Sequence, residues 1–134
     1  MILFLDTSTP SARLWLDENY FEKEINRNMA RDIIKFIEDC LAERSLTWRD
    51  LKGLAVFAGP GSFTGLRIGA TVMSTLSDGL IIPIVSVKNS DSSKIFEGVE
   101  DWRDLAKDRL RNQENDKIAQ PFYGAGANIT KPRK

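Results

Sequence analysis

The chain has 134 residues, 42% of them hydrophobic and 28% charged, enough for one modest core and too few for two ordinary domains. Its 19 basic and 19 acidic residues cancel, which argues against a broad electrostatic surface for nucleic acid or anionic membrane. Histidine is absent and Cys40 is the single cysteine, which removes histidine-based acid–base catalysis, Ser-His and Cys-His nucleophiles, histidine metal sites and any internal disulfide.

The elements read as follows along the chain. Ile2 to Leu5 is continuously apolar, as expected of a strand covered on both faces. Asp6-Thr7-Ser8-Thr9-Pro10 is a polar turn. Ala12, Leu14 and Leu16 then alternate with Arg13, Trp15 and Asp17, the period of a half-buried strand. A third strand, Tyr20 to Ile25, completes an antiparallel meander.

Met29 to Arg44 reads as a helix with Asn28 as its N-cap, and its apolar side chains fill an arc of roughly 160°. Cys40 lies on that arc and reads as a small core residue. Leu54 to Ala58 is a fourth strand. A second helix starts near Ser62 or Phe63 and runs to about Asp78, and Pro83 to Val87 is a fifth strand. Beyond Lys88 the chain turns polar. Val99, Trp102, Leu105, Ala106 and Leu110 make a thin stripe on a charged helix, and Arg111 to Lys117 reads as polar and mobile. The basic tail KPRK reads as solvated. No apolar run reaches the ~20 residues that span a bilayer, and MILFLD carries a charge too early for a signal peptide.

The segment AGPGSFTGLRIG joins the fourth strand to the second helix, a position where glycine-rich turns often hold phosphate. It fits neither common pattern. A P-loop needs G-x-x-x-x-G-K-[ST], whereas Gly65 follows Gly61 one position early and no lysine comes next; the dinucleotide fingerprint G-x-G-x-x-G is also missed. Gly61, Gly65 and Gly69 recur every four residues, and the last two stack on one side of the helix, within an apolar arc of roughly 200° made by Leu66, Ile68, Ala70, Val72, Met73, Leu76 and Leu80. Glycine inside a helix costs about 1 kcal/mol relative to alanine. Close approach of a partner helix would explain Gly65 and Gly69, with Met73, Leu76, Ile33 and Ile37 sharing that interface. The alternative is close packing of this helix on its own sheet.

GPGSFTGLRIG, preceded by ILFLDTS near the start and followed by IPIVSV, resembles the N-terminal domain of the bacterial TsaB (YeaZ) family over about residues 1–88. Pro121-Phe122-Tyr123 and Ile129-Thr130-Lys131-Pro132 resemble that family's closing segment. The resemblance implies an α/β fold: a single actin-like (ASKHA, ribonuclease H-like) domain with a mixed five-stranded sheet in order βββαβαβ, then a C-terminal helix and tail. It divides the chain into an actin-like unit (1–88), a linker and short amphipathic helix in place of a second domain (89–117), and a tail packing back on the unit (118–134).

The function implied is that of a non-catalytic partner of TsaD, the enzyme that transfers a threonylcarbamoyl group to the adenosine beside the anticodon. Pairing would run through helices 29–44 and 62–78, with TsaE joining, tRNA reached only through the complex, and a homodimer forming when TsaD is absent. The expected compartment is the cytoplasm. Met29-Ala30 stands where the family often has His-Ser, and the catalytic paralogue holds its metal with histidines on that helix. A second reading is an actin-like ATPase or kinase remnant using Asp6, Thr7 and Ser8 as a phosphate loop. The same residues also read as a capped turn. No tightly bound cofactor is expected, and ATP or ADP only at a partner interface. A metallopeptidase would lack its zinc ligands.

Overall fold

The computed structural model describes residues 1–25, 28–88 and 101–119. Five strands, β1 (Ile2–Asp6), β2 (Ser11–Leu16), β3 (Asn19–Glu24), β4 (Gly53–Gly59) and β5 (Ile84–Lys88), form one sheet in the order β3-β2-β1-β4-β5. β1 to β3 are an antiparallel meander joined by short turns, and β1, β4 and β5 run parallel. Parallel neighbours need crossover connections. Helix α1 (Met29–Glu43) provides one between β3 and β4, and α2 (Phe63–Leu80) provides the other between β4 and β5. The expected element order and mixed sheet are observed, with ends within two residues of those read from periodicity.

The pleat sorts the core into two clusters. Leu3, Leu5, Leu14, Leu16, Leu54 and Val56 point toward α1 and α2, where they meet Ile33, Ile37 and Met73. Phe4, Ala55, Phe57, Val85 and Val87 point the other way, toward α3 (Asp101–Arg111). Trp102 of α3 anchors that side, with its ring 6.0 Å from Phe4, 5.4 Å from Phe57 and 6.0 Å from Trp15. All seven residues of β4 are buried, as a central strand covered on both faces must be.

Two local expectations are corrected. Asn28 makes no side-chain cap at α1; its backbone sits at φ −91°, ψ 8°, away from the extended geometry a capping side chain needs. Residues 111–117 were expected to be mobile, yet they are tied to β5: Asp116 N donates to Ile84 O (2.7 Å), and Asn115 and Asp116 accept from the backbone of Ile84 and Ser86. The start of the expected 89–117 segment, residues 89–100 with Val99, and the tail motifs at 121–123 and 129–132 lie outside the described residues.

Candidate functional site

The candidate site is the C-terminal end of β1 together with the first half of α2. Asp6 is 7% exposed, and its Oδ1 accepts from both Ser8 N (2.9 Å) and Ser8 Oγ (2.6 Å), a self-capped turn. Thr9 repeats the device, its hydroxyl accepting from Ser11 N at 3.2 Å. Thr7 is fully buried and donates its hydroxyl to Gly65 O at 2.6 Å. Ser62 N donates to Ser8 O (2.8 Å), while Ser62 Oγ accepts from Gly65 N (3.2 Å) as the N-cap of α2.

The glycines of the loop are explained by this turn. A Cβ at Gly61 would lie 2.4 Å from Ser8 Cβ, one at Gly65 2.1 Å from Thr7 O, and one at Gly69 2.3 Å from Thr7 Oγ1. Gly59 adopts φ 114°, a conformation that L side chains rarely take. The Cβ side of Gly61, Gly65 and Gly69 is occupied by the protein's own β1–β2 turn. The hydroxyls of Thr7 and Ser8 both bond to protein atoms.

This corrects the expected interface. Gly65 and Gly69 face Thr7 and not outward, and Ile33, Ile37 and Met73 are 0% exposed inside the chain's own core. Leu76 is half-buried. The physical reason is that residues 65, 69, 73 and 77 form one i,i+4 stripe, and that stripe is the buried one of α2. The adjoining stripe remains outside. Ala30 of α1 with Thr64, Arg67, Ile68, Thr71 and Val72 of α2 lines a shallow groove of about 370 Å³ between the two helices. Ile34, one turn beyond Ala30 on α1, is 38% exposed. Phe63 is 52% exposed, and the Arg67 guanidinium lies 5.7 Å from its ring centre. A second hollow beside the Asp6 turn shares Thr64 and Ile68 with the groove, so one surface runs from helix pair to turn. Of the residues that matter here, sequence reasoning had Ile68 and Val72 only as members of a wide apolar arc. The excess width of that arc was the signal of an outer face.

Cys40 is 2% exposed, and burial, followed by the nearby Glu43 and Asp39 carboxylates, pushes its thiol up to about 12. It is a core residue without thiolate character at neutral pH. Among the described residues, no group of three or more His, Cys, Asp or Glu is placed to hold a metal ion. Among them, too, no helix is long and apolar enough to cross a membrane.

A mixed sheet in this order, with two α-helices on one face and one on the other among the described residues, is the actin-like, ribonuclease H-like class of α/β fold. A family model described as TsaD, tRNA N6-adenosine threonylcarbamoyltransferase, matches residues 23–93. The chain belongs to that family and is TsaB/YeaZ-like within it. The tRNA threonylcarbamoyladenosine biosynthesis protein TsaB of Haemophilus influenzae is 32% identical over 92 residues, 66% of this chain and 39% of that one. The Buchnera aphidicola (Schizaphis graminum) protein of the same name is 28% identical over 92% of this chain and 59% of its own length. Among solved structures, YeaZ from Pseudomonas aeruginosa superposes with a TM-score of 0.57 at 30% identity, covering 66% of this chain and 43% of that one. The chain thus spans between about two fifths and three fifths of these relatives' lengths.

Proposed function

We propose that this chain is a non-catalytic subunit of the machinery that makes threonylcarbamoyladenosine in tRNA, and that it binds a TsaD-type enzyme through the outer face of α1 and α2. The observation that carries the reading is the groove between those helices, with Ile34, Ile68 and Val72 on or beside it. A patch of apolar side chains rimmed by Arg67, Thr64 and Thr71 has the composition of a protein-binding surface. The residues named for this interface on sequence grounds are replaced by these outward neighbours, while the two helices remain the same.

The non-catalytic part of the reading is supported by residue inventory. The sequence holds no histidine, and Met29-Ala30 opens α1 where the resemblance expects metal-binding histidines in the catalytic paralogue. The self-capped Asp6 turn supports a structural role for that loop, with nucleotide, where present, bound at a surface shared with the partner. The 1–88 unit carries the binding face, and the same face would pair two copies when the enzyme is absent. TsaE and tRNA are reached through the assembled complex in a cytoplasmic setting.

Thr71 is exposed and lines the groove, so Thr71→Arg crowds it without entering the core. The expected result is loss of co-elution with the TsaD of the same cell at an unchanged melting temperature. Unchanged co-elution would place the interface elsewhere.

A further inference from the structure

The two edges of the sheet are protected by different means. β3 carries Glu22, Lys23 and Glu24 in its exposed half, and charge on an edge strand resists pairing with another chain. β5 has no such protection until Lys88: Ile84-Val85-Ser86-Val87 is uncharged and largely β-branched, the composition that accepts a new strand most readily. Its edge is instead filled by the segment that follows α3. Ile84 N donates to Asn115 Oδ1 (3.1 Å), and Ile84 O accepts from Asp116 N (2.7 Å). Ser86 N donates to Asp116 Oδ2 (2.8 Å), and Ser86 O accepts from Arg109 Nη1 (3.1 Å). These groups sit at i and i+2, the spacing at which a neighbouring strand would bond. Arg109 also pairs with Asp116 and, at 2.7 Å, with Glu114, which ties α3 to the segment that fills the edge.

We propose that Arg109, Asn115 and Asp116 form an edge lock that stands in for a sixth strand, and that opening it turns β5 into a pairing edge for a second copy of this chain. The strand is suited to that occupant. Antiparallel pairing of two β5 strands about Val85 sets Val85 opposite its counterpart and Ile84 opposite Ser86, so that the outward N–H and C=O groups of Ile84 and Ser86 bond across the pair. It places the two Lys88 side chains at opposite ends, where like charges do not meet. This contact is distinct from the outer face of α1 and α2, which lies across one face of the sheet and not along its edge.

The test is amide hydrogen exchange on the full chain, read at Ile84 and Ser86 as protein concentration is raised. In the native chain both amides are protected at every concentration. In Asn115→Ala/Asp116→Ala both should exchange roughly tenfold or more faster in dilute solution, and regain protection with a rise in mass on concentration. Adding Ser86→Pro to that variant removes the outward donor and should restore the monomeric edge at high concentration. If the double variant loses its fold, Asn115→Ala alone opens half the lock and should speed exchange at Ile84 only. Amides that stay protected in these variants would overturn the lock. Amides that exchange fast at all concentrations without any rise in mass would overturn the pairing edge.

Discussion

Alanine scanning of the α2 glycines separates their roles, because the same substitution on the same helix should act with opposite signs. Gly79 has nothing within 4 Å of a built Cβ, so Gly79→Ala should gain about 1 kcal/mol of helix propensity. At Gly65 the added carbon would lie 2.1 Å from the Thr7 carbonyl oxygen, a backbone atom held by the turn. Overpacking of that kind typically costs about 1–3 kcal/mol, and loss of the Thr7 Oγ1 to Gly65 O bond adds on the order of 1 kcal/mol. After the propensity gain, Gly65→Ala should be destabilised by roughly 1–3 kcal/mol, or about 5–10 °C in melting temperature for a chain of this size. Gly69→Ala meets a side-chain atom instead, Thr7 Oγ1 at 2.3 Å. Thr7→Ala should therefore rescue part of the Gly69→Ala defect, with a coupling of about 1–2 kcal/mol, and at Gly65 only the hydrogen-bond part of about 1 kcal/mol, leaving the backbone clash in place. Thermal and urea melts of these variants are the assay. If Gly65→Ala and Gly69→Ala melted as high as Gly79→Ala, the reasoning from the β1–β2 turn would be refuted.

Two further outcomes follow from local geometry. Ile81 ends α2 in the left-handed region at φ 57° while 88% exposed, so Ile81→Gly should relieve about 1 kcal/mol of backbone strain with little packing lost; an unchanged or lower melt would contradict this. Burial raises the Cys40 thiol from its ordinary 9.0 to about 12, so the folded chain holds this proton more tightly than the unfolded one. The resulting stability is complete below pH 9.0 and is lost as pH rises toward about 12. Cys40→Ala, whose melts would keep the cavity cost at every pH, should lack that part of the alkaline decline, and native Cys40 should resist thiol reagents until the chain unfolds.

The element order was legible because strands and helices here advertise different periods: two in Ala12–Leu16 and about 3.6 in α1 and α2. The direction of the glycine stripe was not. A helical wheel shows that Gly65, Gly69 and Met73 share a side, yet a stripe of small residues suits either a partner helix or a buried turn. Only the position of Thr7, 58 residues from Gly65, decides between them. The Asp6 turn was legible as a capped turn through the local bonds of Ser8 to Asp6, whereas Thr7, also expected to bond local backbone, bonds Gly65 O instead. The edge lock was invisible for the opposite reason. Asn115 and Asp116 bond backbone groups about 30 residues away, and side-chain-to-backbone bonds of that range leave no periodicity. A charged, polar stretch consequently read as mobile.

A role in making threonylcarbamoyladenosine is testable at the modified nucleoside itself, which can be counted directly. Bulk tRNA from cells lacking this chain, digested to nucleosides and measured by mass spectrometry, should show threonylcarbamoyladenosine strongly reduced. The wild-type chain should restore it, and Thr71→Arg, folded but with its groove crowded, should not. An unchanged level of the nucleoside in cells lacking the chain would contradict the proposed function.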